Sequence, residues 1–90
     1  MEWINGLKDA KGRAQILTRV RAFETTGHPG DTGAVGEGVS EMRVHFGPGY
    51  RVYYIVQAKT VILLGGDKST QKRDIKTAKE FANYWKDRKS

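Results

Sequence analysis

Residues 39–54 read VSEMRVHFGPGYRVYY. Met42, Val44 and Phe46 alternate with Glu41, Arg43 and His45, and Val52, Tyr54 and Val56 alternate with Arg51, Tyr53 and Ile55, the period of half-buried strands. Gly47, Pro48 and Gly49 interrupt the alternation, so the stretch predicts a β-hairpin. If those three residues form the loop, Phe46 faces Tyr50, His45 pairs with Arg51 and Arg43 with Tyr53. Met42, Val44, Val52 and Tyr54 then share a buried side, and Arg43, His45, Arg51 and Tyr53 project together from the other. A one-residue slip would mix the two sets.

Upstream, Trp3, Leu7 and Ala10 recur at helical spacing, and Ile16, Leu17, Val20 and Phe23 do so after Gly12. They predict two short helices, or one broken near Lys11 and Gly12. Gly27, His28, Pro29 and Gly30 stop the helix and begin a loop that runs to about Gly38, with a short strand near Val35. Downstream, Lys59 and Thr60 make a turn. Val61, Ile62, Leu63 and Leu64 suit a central strand covered on both faces, ended by Gly65 and Gly66. Ser69 or Thr70 caps a last helix with an apolar stripe of Ile75, Ala78, Ala82 and Trp85, Phe81 at its margin, and basic residues elsewhere. Trp3 and Trp85 are expected as core anchors. The fold class is α+β: two amino-terminal helices, an antiparallel sheet of three or four strands, and a carboxyl-terminal helix.

Ninety residues allow one hydrophobic core, so residues 1–90 are expected to form a single domain. Without cysteine there is no disulfide framework, no thiolate metal site and no cysteine nucleophile. The longest apolar run is four residues, far short of the roughly 20 that span a bilayer, and residues 1–9 lack the zones of a signal peptide. A cytoplasmic protein without membrane contact is expected. The formal charge of +6 is uneven: residues 1–42 carry five basic and six acidic groups, and residues 43–90 carry eleven and four. A basic second half favours a polyanionic partner, nucleic acid first.

Three segments stand out together: VSEMRVHF at 39–46, GPGYRVYY at 47–54 and GGDKSTQKRDIKTA at 65–78. Their order, spacing and flanking helices resemble the HigB-like addiction module killer branch of the RelE/ParE toxin superfamily. The resemblance implies a sheet flanked by helices, a toxin acting as an endoribonuclease on messenger RNA, usually at the ribosome, and neutralisation by a small helix-turn-helix antitoxin from the same operon. It also implies that the toxin's oligomeric state is set by the antitoxin complex. ParE-type relatives share the scaffold but inhibit DNA gyrase instead.

In RelE-type members basic residues occupy the first hairpin strand, the arginine after its glycine-tyrosine, and the segment just beyond the last strand. By this resemblance Arg43 and His45, Arg51, and Lys68 take those places. His45 stands where RelE has a lysine. The carboxyl-terminal tyrosine of RelE has no clear counterpart, and the helix offers Gln71, Arg73 and Asp74 instead.

Metal- and cofactor-independent RNA cleavage needs a base for the ribose 2′-hydroxyl, cations for the phosphorane, and an acid for the leaving 5′-oxygen. Arg51 and Arg43 suit phosphate through bidentate hydrogen bonds. His45 is the proton-transfer candidate, because imidazole changes charge between pH 5 and 8. Lys68 supplies a second cation and Tyr53 a surface on which a base can stack. The catalytic set is therefore His45, Arg51 and Lys68; Arg43, Tyr53, Gln71, Arg73 and Asp74 bind RNA. Plainer roles stand beside these: a surface ion pair for Arg43 with Glu41, a solvated strand position for His45, cross-strand packing for Tyr53, and a helix cap or local pair for Asp74.

Overall fold

The structure, a computed structural model, describes Ile4 and residues 6–89. Helix α1 (Ala10–Thr26) is followed by strands β1 (Thr32–Gly36), β2 (Val39–Val44), β3 (Tyr50–Gln57) and β4 (Lys59–Asp67). A 3-10 turn (Lys68–Thr70) leads into helix α2 (Gln71–Lys89). The strands form one antiparallel sheet in the order β1-β2-β3-β4. No helix among the described residues is long and apolar enough to cross a membrane.

Of the first expected helix, Trp3 lies outside the described residues, Leu7 is not helical, and Ala10 opens α1. The expected break at Lys11 and Gly12 is absent, because Asp9 caps the helix by accepting from the Gly12 N–H at 3.0 Å. Gly12 has a packing reason. A Cβ there would stand 2.6 Å from both the Asp9 carboxylate and the Tyr50 ring. The Tyr50 hydroxyl donates to Asp9 at 2.7 Å, which ties the hairpin to the start of α1. Burial, and then Asp9, push the Tyr50 phenol up to about 12, while the Gly12 N–H above all holds the Asp9 carboxyl below its ordinary range. Gly27, with φ +76°, ends α1 by donating to the Phe23 carbonyl at 2.8 Å.

The hairpin forms two residues out of the expected register. Val44 faces Tyr50, Met42 faces Val52, Arg43 faces Arg51 and Glu41 faces Tyr53, so the expected pairs His45–Arg51 and Arg43–Tyr53 do not occur. The loop takes five residues, 45–49, closed by Phe46 N–H to the Val44 carbonyl (2.9 Å) and Gly49 N–H to the Phe46 carbonyl (3.1 Å). Gly47 and Gly49 take positive φ there, +56° and +80°. A shift of two residues changes every partner and no face. Met42, Val44, Val52 and Tyr54 accordingly pack with Ile16 and Val20 of α1.

The opposite face is not uniformly solvated, as α2 lies across part of it. Ala78 and Ala82, both fully buried, let the helix approach Val39, Tyr53 and Ile55 closely, with Ile75 beside them. Trp85 is exposed rather than a core anchor, and Phe81, at the margin of the stripe, and Tyr84 are exposed too. Four corrections concern β4. It is an edge strand and not a central one, it continues through Gly65 and Gly66 to Asp67, Lys59 and Thr60 lie inside it, and the chain reverses at Ala58 (φ +53°). Pairing jumps from Tyr53–Leu64 to Tyr54–Ile62, so Leu63 is the extra residue of a bulge. Asp67 caps the 3-10 turn that follows, accepting from the Ser69 N–H at 2.8 Å, and the Thr70 side chain completes the capping box.

Candidate functional site

The sheet face that α2 leaves uncovered carries the polar end of β2 and β3. His45 enters from the loop after β2, Arg51 from β3, and Lys68 from the 3-10 turn after β4. These three line one open hollow of about 390 Å³, completed by Phe46, Gly47, Pro48 and Gly49. The Arg51 guanidinium donates to the Gly49 carbonyl at 2.9 Å, and its Nε is buried without a hydrogen-bond partner. A Cβ on Gly49 would lie 2.8 Å from the Arg51 guanidinium, so a side chain there would displace the end of Arg51.

Lys68 also borders a second hollow of about 490 Å³, with Ser69, Thr70, Gln71, Lys72 and Arg73 at the start of α2. Gln71 and Arg73 thus stand beside the first three candidates, not among them. Asp67, at the junction, is held below the ordinary carboxylate range by the Ser69 hydroxyl first, with the nearby Arg51 charge acting in the same direction.

The remaining candidates are elsewhere. Tyr53 is wholly buried under α2, which rules out the expected stacking of a base on its ring. Its hydroxyl donates to Glu41 at 3.1 Å, and burial, then Glu41, raise the phenol far above its ordinary range. Asp74 is also buried; it accepts from the Thr70 hydroxyl at 2.5 Å, and its oxygen occupies the space that a Cβ on Gly66 would need. That contact explains the second glycine of the GGD segment: β4 and the start of α2 meet there too closely for any side chain. Arg43 is drawn away from the hollow, donating to Glu41 at 3.2 Å and to Asp31 at 2.9 Å.

Two acidic residues emerge that the hairpin pattern did not single out as functional. Glu41, 1% exposed, receives Arg43, Tyr53 and, at 2.8 Å, the Gln71 amide, joining β2, β3 and α2 at one carboxylate. The Glu41–Arg43 pair was legible in the sequence, yet it is buried at the carboxylate end rather than a surface pair. Asp31, just before β1, binds both His45 Nε2 and Arg43. The neighbour of His45 is therefore a carboxylate where the expected register placed Arg51. His45 first, and Arg43 second, hold the Asp31 carboxyl below its ordinary range.

The family profile described as "Phage derived protein Gp49-like" matches residues 2–83, a span that includes every residue of both hollows. The chain belongs to the Gp49-like family. That family is of the toxin–antitoxin type, RelE/HigB-like, so an antitoxin partner goes with membership. An uncharacterized protein of Haemophilus influenzae (strain ATCC 51907 / DSM 11121 / KW20 / Rd) is 42% identical over 82 residues, covering 89% of this chain and 82% of the relative. No solved structure matches the chain.

For this Gp49-like chain the Glu41 junction carries a stability prediction. Glu41→Ala leaves the buried Tyr53 hydroxyl unsatisfied, which costs about 1–3 kcal/mol, and the emptied volume adds to that. Thermal unfolding should fall by roughly 10 °C or more. Glu41→Gln keeps the shape and one acceptor and should lose less. Equal melting of Glu41→Ala and wild type would show that this carboxylate does not hold the three elements together.

Proposed function

We propose that this chain is the toxin of a type II toxin–antitoxin pair, a HigB-like member of the RelE/ParE superfamily that cuts messenger RNA without a metal and is neutralised by a helix-turn-helix antitoxin. One observation carries the proposal: His45, Arg51 and Lys68 come from three separate elements and line the same hollow. Their chemistry covers the needs of cleavage by the ribose 2′-oxygen. His45 takes the 2′-hydroxyl proton; the oxygen attacks phosphorus, a P–O bond forms, and the P–O5′ bond breaks, the departing oxygen taking a proton from water in the open hollow, to leave a 2′,3′-cyclic phosphate and a 5′-hydroxyl. Arg51 and Lys68 stabilise the added negative charge of the phosphorane. Arg51 lines this hollow with a guanidinium whose planar fork of donors suits a phosphate oxygen. Gln71 and Arg73, in the adjoining hollow, extend the contact along the RNA backbone.

The test is incubation of the purified protein with messenger RNA, with and without ribosomes, in the presence of a chelator. Cleavage leaving cyclic-phosphate ends is expected in at least one arm. RNA that stays intact in both overturns the proposal, and inhibition of gyrase supercoiling in a parallel assay would assign the chain to the ParE-type activity instead.

A further inference from the structure

Asp31 has no place in the chemistry described so far, yet its carboxylate binds both His45 and Arg43. It stands opposite Arg43, one step beyond the Thr32–Met42 pair, and its carbonyl accepts the Arg43 N–H at 2.8 Å. Arg43 and His45 share a face of β2 and its continuation, so one carboxylate meets Arg43 directly and His45 on the diagonal. Asp31 Oδ1 takes the Arg43 guanidinium and Oδ2 takes His45 Nε2.

The residues behind Asp31 fix it from two sides. Arg43 is anchored through its Nε to Glu41, which is itself buried and held by Tyr53 and Gln71. From α1, Arg19 donates to the Arg43 carbonyl at 3.0 Å and to the Pro29 carbonyl at 2.8 Å, clamping the segment before Asp31 onto β2. Gly30, with φ +73°, lies against that guanidinium where a Cβ would collide with it. An isolated ion pair as exposed as Asp31 and His45 contributes little stability. The anchoring nevertheless extends from a buried carboxylate to an exposed imidazole, and positioning that ring is what it accomplishes.

We propose that Asp31 is the positioning residue for His45, committing Nε2 to a carboxylate and leaving Nδ1 as the nitrogen that exchanges a proton with RNA. This rests on the nuclease proposal above. An ionised carboxylate only accepts hydrogen bonds, so Nε2 must carry its hydrogen and the lone pair of the neutral ring falls on Nδ1. The groups around the ring are Asp31 in contact, Arg43 beyond it, and Arg51 and Lys68 lining the same hollow.

Asp31→Asn and Asp31→Glu test the inference by two readouts. An asparagine presents an N–H to Nε2 and favours the opposite tautomer, so Asp31→Asn should lose roughly 10- to 100-fold in kcat with KM nearly unchanged, and Asp31→Glu should recover part of the loss. Independently of activity, nitrogen-15 NMR of the His45 ring should show a protonated Nε2 and a bare Nδ1 in the neutral wild-type ring, altered in Asp31→Asn while the backbone amide spectrum stays the same. Ring signals indifferent to Asp31, or an Asp31→Asn protein that cleaves at the wild-type rate, overturn the inference. If wild-type protein leaves RNA intact while the ring signals still depend on Asp31, the nuclease proposal falls and the coupling of Asp31 to His45 stands.

Discussion

Arg51→Ala is expected to lose RNA cleavage by roughly 10²–10³-fold, the scale set by removing one preorganised donor from a transition-state oxyanion. The same substitution should melt within a few degrees of wild type. It gives up the bond to the Gly49 carbonyl, worth about 1 kcal/mol, and also deletes a buried Nε that has no partner, two effects of opposite sign. Arg51→Lys keeps the charge but not the planar fork and should recover only part of the rate. Cleavage assays with all three proteins, alongside thermal melts, decide the matter. An Arg51→Ala protein as active as wild type would remove the hollow from the mechanism.

One residue along, Val52→Asp should prevent folding altogether. Val52 is fully buried, paired across the sheet with Met42 and part of the apolar cluster that includes the α1 residues Ile16 and Val20. Burying an unpaired charge costs more than the ~5–15 kcal/mol by which a domain is stable. The expected circular dichroism trace has no cooperative thermal transition. A folded Val52→Asp protein would reverse the assignment of faces on β3.

These neighbouring substitutions differ in outcome because strand parity separates a functional face from a core face, and that parity was legible from residues 39–54. The register was not. A GPG loop closed at three residues and one closed at five are equally compatible with the alternation, because they differ by two residues and leave every side chain on the same face. The same register set part of the site: with it Arg43 moved beside Arg51, and Tyr53 beside Glu41. His45, Arg51 and Lys68 were singled out by their likeness to the basic positions of RelE-type members, and the alternation placed His45 and Arg51 on the polar face. Asp31 carried no such signal, since its role depends on the pairing of β1 with β2. Tyr53 misled because an aromatic on a polar-patterned face reads as exposed, and only the length of α2 shows how much of that face it covers.

The bulge at Leu63 has a consequence for behaviour at high concentration. Open sheet edges are templates on which another chain can add a strand, the usual first step towards aggregation. At nine residues β4 is the longest strand here, and its middle is apolar. With Leu63 unpaired, the free hydrogen-bonding groups along the outer side of β4 lose the even spacing that a long incoming strand would need. The opposite edge, β1, is five residues long and contains two glycines, a poor template in its own right. Both margins of the sheet are thus blunted by different means, one by an inserted residue and the other by brevity. Restoring regular pairing by deleting Leu63 would trade that protection for a straighter strand.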